Sequence, residues 1–131
     1  MPSWADYKKQ AKERGSLAYE LFVVESTPAK SPEDLKKVLP DHLAYQQAQE
    51  LKGALAFAGP MSDLTGELMQ GAGLIVYRAE SFDAARQLAD ADPMHSTGTR
   101  TYTLRRWLIN EGSFQLDVKL STQHVKFEQK A

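Results

Sequence analysis

Two stretches of this chain, 17–26 and 72–79, are apolar on both faces of an extended backbone. In the first, Leu17, Tyr19, Leu21 and Val23 fall on one side, and Ala18, Phe22 and Val24 on the other beside Glu20. In the second, Leu74, Ile75, Val76 and Tyr77 fill both sides. A strand of this kind has to lie inside a sheet with material packed on each face. Two such strands, separated by helical sequence, restrict the chain to mixed architectures built on one central sheet.

The remaining punctuation gives the order of elements. Ser3 caps a helix that runs to Arg14, with Gly15 as its stop. After the first strand and the loop 27–30, Ser31-Pro32-Glu33-Asp34 opens a helix: a capping Ser, Pro in the first turn, then two acids at the positive end of the dipole. Pro40 predicts a break, with one short helix ending near Val38 and a second starting at Pro40 and ending at Gly53. In the second, Leu43, Ala44, Gln47, Ala48 and Leu51 form the expected inward face, flanked by His42, Tyr45, Gln46 and Gln49.

Residues 54–59 read as a strand with Leu55 and Phe57 on one side and Ala54, Ala56 and Ala58 on the other. The small face suits close helix packing or leaves room for a ligand. The loop 60–71 is too apolar for a bare turn and reads as a lid or interface segment. It joins strands 54–59 and 72–79 as a long-loop hairpin. Ser81 caps the next helix, whose stripe of Ala85, Leu88 and Ala89 continues to Asp92. Pro93 forces Asp92 out of helical geometry, so the helix closes just before it and the carboxylate is aimed at the sheet. A fourth strand covers 101–109, Asn110-Glu111-Gly112 turns the chain, and 114–120 alternates as a half-buried edge strand. Val125 and Phe127 add a short strand or fray.

Without its ends the chain reads β-α-β-β-α-β, the α+β plan of a ferredoxin-like split β-α-β fold. We expect a single domain over 1–131, with a helical extension at 1–15, a core at 17–110 and a strand extension at 113–131. Both helices cover one sheet face. The other face is apolar, so a homodimer or a multiple of it is expected to cover it.

Sixteen Lys and Arg against seventeen Asp and Glu are mixed along the chain, which argues against a nucleic-acid or anionic-membrane partner. The absence of cysteine excludes disulfides, thiol nucleophiles and thiolate metal sites. There is no long apolar run and no apolar leader, so a cytoplasmic location is expected.

The chemistry-bearing candidates are His42 and Asp92. His is the side chain that titrates near neutral pH without help, and a first-turn position would favour the neutral, base-competent ring. Taken alone, a first-turn His reads as a surface or structural residue. Asp before Pro reads as a turn cap bonded to its own backbone. An inward carboxylate, however, needs a partner, and His42 is the candidate. His42, His95 and His124 match no standard ligand spacing, so no metal is expected. Ser96 lacks an activating neighbour, and Gly66, Gly71 and Gly73 do not form a nucleotide loop.

Asp41-His42-Leu43-Ala44-Tyr45 at a helix start, Ala58-Gly59-Pro60 after a strand, Glu80-Ser81 before a helix and Asp92-Pro93 after it together resemble the YciI-like (YCII-related) proteins over roughly 17–110. The resemblance implies a dimeric α/β barrel of ferredoxin-like protomers. It also implies an active-site His and Asp, which carry over to His42 and Asp92, and lyase-type activity on small ring compounds such as halogenated hydroxyquinones. The expectation is a cofactor-free enzyme using His42 and Asp92 for elimination, isomerisation or hydrolysis of a small-molecule substrate. Tyr45, Gly59, Pro60, His95 and Arg100 are the candidate substrate contacts. The alternative is a non-catalytic module that binds a metabolite in the same pocket.

Overall fold

The computed structural model describes residues 1–128; the last three residues of the expected C-terminal extension, 129–131, lie outside the described residues. The chain divides into two compact units, Glu20–Leu108 and the two ends, Met1–Tyr19 with the segment from Ile109 onward.

The first unit is built on a four-stranded sheet. In chain order the elements are β1 (Tyr19–Pro28), α2 (Pro32–Leu51), β2 (Leu55–Pro60), β3 (Gly73–Tyr77), α3 (Phe82–Ala91), α4 (Pro93–Ser96) and β4 (Arg100–Ile109), following α1 (Trp4–Glu13). The sheet order is β2-β3-β1-β4, so the two strands with apolar residues on both faces occupy the centre. β3 runs antiparallel to both neighbours, with Val24 opposite Ile75 and Phe22 opposite Tyr77. This interleaved order is the ferredoxin-like arrangement. Val24, Ile75, Tyr77 and Ala89 form the buried cluster beneath the helices, joined by Leu55, Leu88, Tyr102 and Leu104.

Three local expectations are corrected. Pro40 does not break the helix: α2 runs unbroken from Pro32 to Leu51. Pro40 is exposed, so water can take the carbonyl its missing N–H leaves free. His42 is therefore mid-helix, and the helix dipole does not act on it as a first-turn residue.

The inward face of α2 is also rotated from the expected one. Leu43 and Leu51 are 53% and 82% exposed, whereas Gln49 is buried and His42, Tyr45 and Gln46 are half-buried. The polar flank faces the protein, and the apolar stripe runs along open space.

In β2 the register with β3 shifts between Leu55 and Phe57. A bulge adds one residue to a strand and reverses which side the next residues occupy. Leu55 thus joins the core beside Tyr77, while Phe57 pairs with Val76 on the opposite face, contrary to the simple alternation.

In the second unit, Ser3 caps α1 by accepting from the Asp6 N–H at 3.1 Å. Asn110 binds the approach to β1, with its carbonyl and side-chain oxygens accepting from Leu17 and Ala18 N–H. The segment read as a half-buried edge strand is instead β5 (Leu116–Lys119), paired with β6 (His124–Phe127) in a separate two-stranded sheet. Leu116 faces Phe127 and Val118 faces Val125, all largely exposed. The alternation in 114–120 marks a two-sided ribbon, and alternation alone does not say whether its apolar side is covered.

Candidate active site

Asp92 is placed by two adjacent prolyl and helical constraints. α3 closes on it, Pro93 starts α4 after it, and its backbone is extended at φ −62°, ψ 125°. Its side chain is fully buried. One carboxylate oxygen caps α4 by accepting from the Met94 N–H at 2.9 Å, so the turn-cap reading of this Asp holds. The same group also faces His42, whose Nδ1 lies 2.8 Å from both carboxylate oxygens. The cap and the pairing therefore coexist.

The chemistry of the partners assigns the tautomer. A carboxylate only accepts, so Nδ1 of His42 carries the hydrogen and Nε2 holds the lone pair in the neutral ring. Nε2 has no hydrogen-bond partner among the described residues. The His42 side chain is 15% exposed and lines a cavity of about 490 Å³. That volume suits a small organic molecule.

The cavity walls are mostly apolar. Leu35, Leu39 and Leu43 come from α2, Leu74 and Ile75 from β3, Met69 from the loop before it, and Met94 from α4. Ala58, Gly59 and Pro60 form one edge, and the small side chain of Ala58 and the bare Gly59 leave room here; the bulge means that Ala54 and Ala58 do not share the single small face expected. The loop 61–72 is organised by Asp63, whose carboxylate accepts from Thr65 and Leu68 N–H and from the Thr65 hydroxyl at 2.6 Å. The Thr65 hydroxyl, ahead of the neighbouring backbone N–H groups, holds the Asp63 carboxyl below the usual range.

Of the seven site residues expected from sequence, His42, Gly59, Pro60 and Arg100 line the cavity, and Asp92 stands behind His42. Tyr45 and His95 are not in the wall. The Tyr45 hydroxyl donates to the Leu88 carbonyl at 2.6 Å and ties α2 to α3. Burial, reinforced by the charge of Asp92, pushes Tyr45 up to about 12, so it stays a neutral donor. His95 sits beneath the wall, its ring 4.7 Å from that of Tyr102, with Nδ1 2.7 Å from the Ala89 carbonyl and Nε2 2.8 Å from the Ser26 hydroxyl. Both are therefore placed as supports, because their polar atoms are already taken up by protein groups.

Sequence reasoning missed Ser26, Gly71 and Met94. Ser26 looked like the end of an apolar strand, yet it is 3% exposed and its polar atoms meet His95 and Arg100. Gly71 has φ +98°, and an added Cβ would lie 2.7 Å from Pro28 Cγ, so conformation and space both require glycine. Its place in a Gly-Ala-Gly segment was the available signal. Met94, one step past Asp92-Pro93, is buried against the same pocket.

Among the described residues, no group of three or more His, Cys, Asp or Glu could hold a metal ion, and no helix is long and apolar enough to cross a membrane. One similar solved structure is the 5-chloro-2-hydroxyhydroquinone dehydrochlorinase (TftG) from Burkholderia phenoliruptrix AC1100, in complex with 2,5-dihydroxybenzoquinone. It is 24% identical, the match covers 66% of this chain and 92% of that chain, and the TM-score is 0.48. No curated protein matches the chain. The YCII-related domain, in contrast, matches residues 19–108, well over half of the sequence and the whole of the unit that carries His42, Asp92 and the cavity, and the chain belongs to that family.

Proposed function

We propose that this protein is a small-molecule enzyme in which His42 is the general base and Asp92 orients it. The observation that carries this reading is the 2.8 Å contact between His42 Nδ1 and the fully buried Asp92 carboxylate, with the ring at the wall of an apolar cavity. Asp92 holds the hydrogen on Nδ1 and leaves the lone pair of Nε2 to take a proton from a substrate C–H or O–H. The electron pair of the broken bond then expels a leaving group, or shifts within the substrate while His42 returns the proton elsewhere. Elimination and isomerisation both fit this pair, and hydrolysis fits if Nε2 activates water. The apolar walls favour a small ring compound, and the family membership suggests a halogenated hydroxyquinone as the class to try. The pair needs no cofactor for these steps. In this reading two copies pair sheet to sheet, covering the face that carries Val23 and Trp107, opposite Val24 and Ile75.

The test is turnover and binding measured together on a series of halogenated and unhalogenated hydroxyquinones. His42→Ala should lower kcat by about 100-fold or more while ligand affinity changes only a few-fold. Wild-type turnover in His42→Ala would sink the proposal. Tight binding with no turnover in the wild type would instead favour a metabolite-binding module.

A further inference from the structure

Arg100 is more firmly held than a binding residue at the end of a strand needs to be. Its Nε donates to the Ser26 hydroxyl at 2.8 Å, and its Nη2 donates to the Ser26 carbonyl at 2.8 Å and to the Gly71 carbonyl. Three acceptors on two segments fix the guanidinium plane, and Nη1 donates to no described residue. Arg100 and Ser26 both line the cavity.

Ser26 is held in turn by His95. The Ala89 carbonyl only accepts, so His95 Nδ1 carries the hydrogen and donates to it. In the neutral ring Nε2 is then an acceptor, and the Ser26 hydroxyl donates to it. Desolvation by burial lowers His95 from its ordinary value and favours that neutral ring, although the Ala89 carbonyl and the Asp92 charge oppose it. The Ser26 hydrogen thus points to His95, and its lone pair is left for Arg100 Nε. The chain of donors has one direction: Arg100 to Ser26 to His95 to Ala89.

We infer that Arg100 is a built anion anchor whose free Nη1 face selects an organic anion, a carboxylate or phenolate on an apolar body, with Ser26 and His95 as positioning residues. This rests on the reading of the cavity as the substrate site, but it does not depend on proton transfer by His42. Lys36 also borders the cavity, but it is exposed and makes no fixed contact there. A solvated point charge on a flexible stem gives little orientation. Desolvation by burial lowers Arg100 from its ordinary value, the charge of Asp92 opposing it, and a guanidinium so lowered is still a cation at neutral pH.

The experiment compares two probes by calorimetry: 2,5-dihydroxybenzoate and its uncharged amide. The wild type should bind the acid about 10- to 100-fold more tightly than the amide, the value of a charge-assisted hydrogen bond in a dry site. Arg100→Gln should abolish the preference, weakening the acid far more than the amide. Lys36→Gln should retain the preference. Ser26→Ala should reduce it, because Arg100 loses its Nε acceptor; a purely structural role would weaken binding of both probes alike and leave the ratio unchanged. Equal binding of acid and amide by the wild type would overturn the anion anchor while leaving the cavity reading intact. Binding of neither probe would overturn both. The wild-type comparison needs no variant to fold, and Arg100→Lys, which keeps the charge without the fork, should fall between wild type and Arg100→Gln.

Discussion

Replacing Asp92 with Asn is the sharpest perturbation of the His42 pair, because it changes one atom and one charge in a fully buried group. The Met94 N–H, 2.9 Å from one carboxylate oxygen, should hold the amide oxygen in that place, since an amide nitrogen there would set donor against donor. The amide nitrogen then faces His42 Nδ1, which the native carboxylate meets at 2.8 Å with both oxygens. The favourable response is a switch of tautomer: Nδ1 accepts from the amide and the hydrogen moves to Nε2. A base with its hydrogen on the cavity side cannot accept another. The charge effect acts in the same direction. A unit negative charge about 4 Å from an imidazolium is worth roughly 4 kcal/mol at an effective dielectric of about 20. At about 1.4 kcal/mol per decade, that is close to a thousandfold in any step that protonates the ring. Stability should change by no more than about 2 kcal/mol, because the lost charge-assisted bond is offset by relief of a buried charge. Nitrogen-15 correlation spectra of the His42 ring read the tautomer directly and need no substrate. The wild type should show hydrogen on Nδ1 and the variant on Nε2. An unchanged tautomer in Asp92→Asn, with turnover lowered less than tenfold, would refute the orienting role.

Tyr77→Phe should be neutral or stabilise the fold by up to about 1 kcal/mol in urea titration, because its hydroxyl is buried without a partner; a clear loss would mean that the hydroxyl is bonded in solution. His95 is lowered from its ordinary value of 6.5, chiefly by burial, so the unfolded chain binds that proton first. Its contribution to stability should be complete above that value and be lost as the pH falls from there towards the folded-state value; His95→Gln should flatten this part of the urea-midpoint curve, and an equal slope in both proteins would refute it. Sedimentation at micromolar concentration should show a dimer or a multiple of it, with the apolar sheet face at the contact. A stable monomer would sink that assembly, and Trp107→Glu should weaken it, since Trp107 is 45% exposed on that face.

Much of this arrangement is written in local sequence. The two strands apolar on both faces become the central pair β1 and β3, because only an interior position covers both sides. Ser31, Ser81 and the Asp92-Pro93 step mark helix ends through contacts that span only a few residues: Ser31 and Ser81 each accept from the N–H three positions on. The burial of Asp92 follows from the stripe of Ala85, Leu88 and Ala89 that it continues. Other features needed the folded chain. Which side of α2 faces inward depends on a phase carried unbroken through Pro40; of the two leucines expected in the core, Leu43 lines the cavity and Leu51 is exposed. The bulge in β2 turns Phe57 to the far face through its pairing with β3, which no residue of β2 announces. The link from Arg100 through Ser26 to His95 joins residues 74 and 69 positions apart, and periodicity carries no information at such separations. Local stereochemistry decides elements and their ends; the distances between side chains on different elements arise only when the sheet and its helices are assembled.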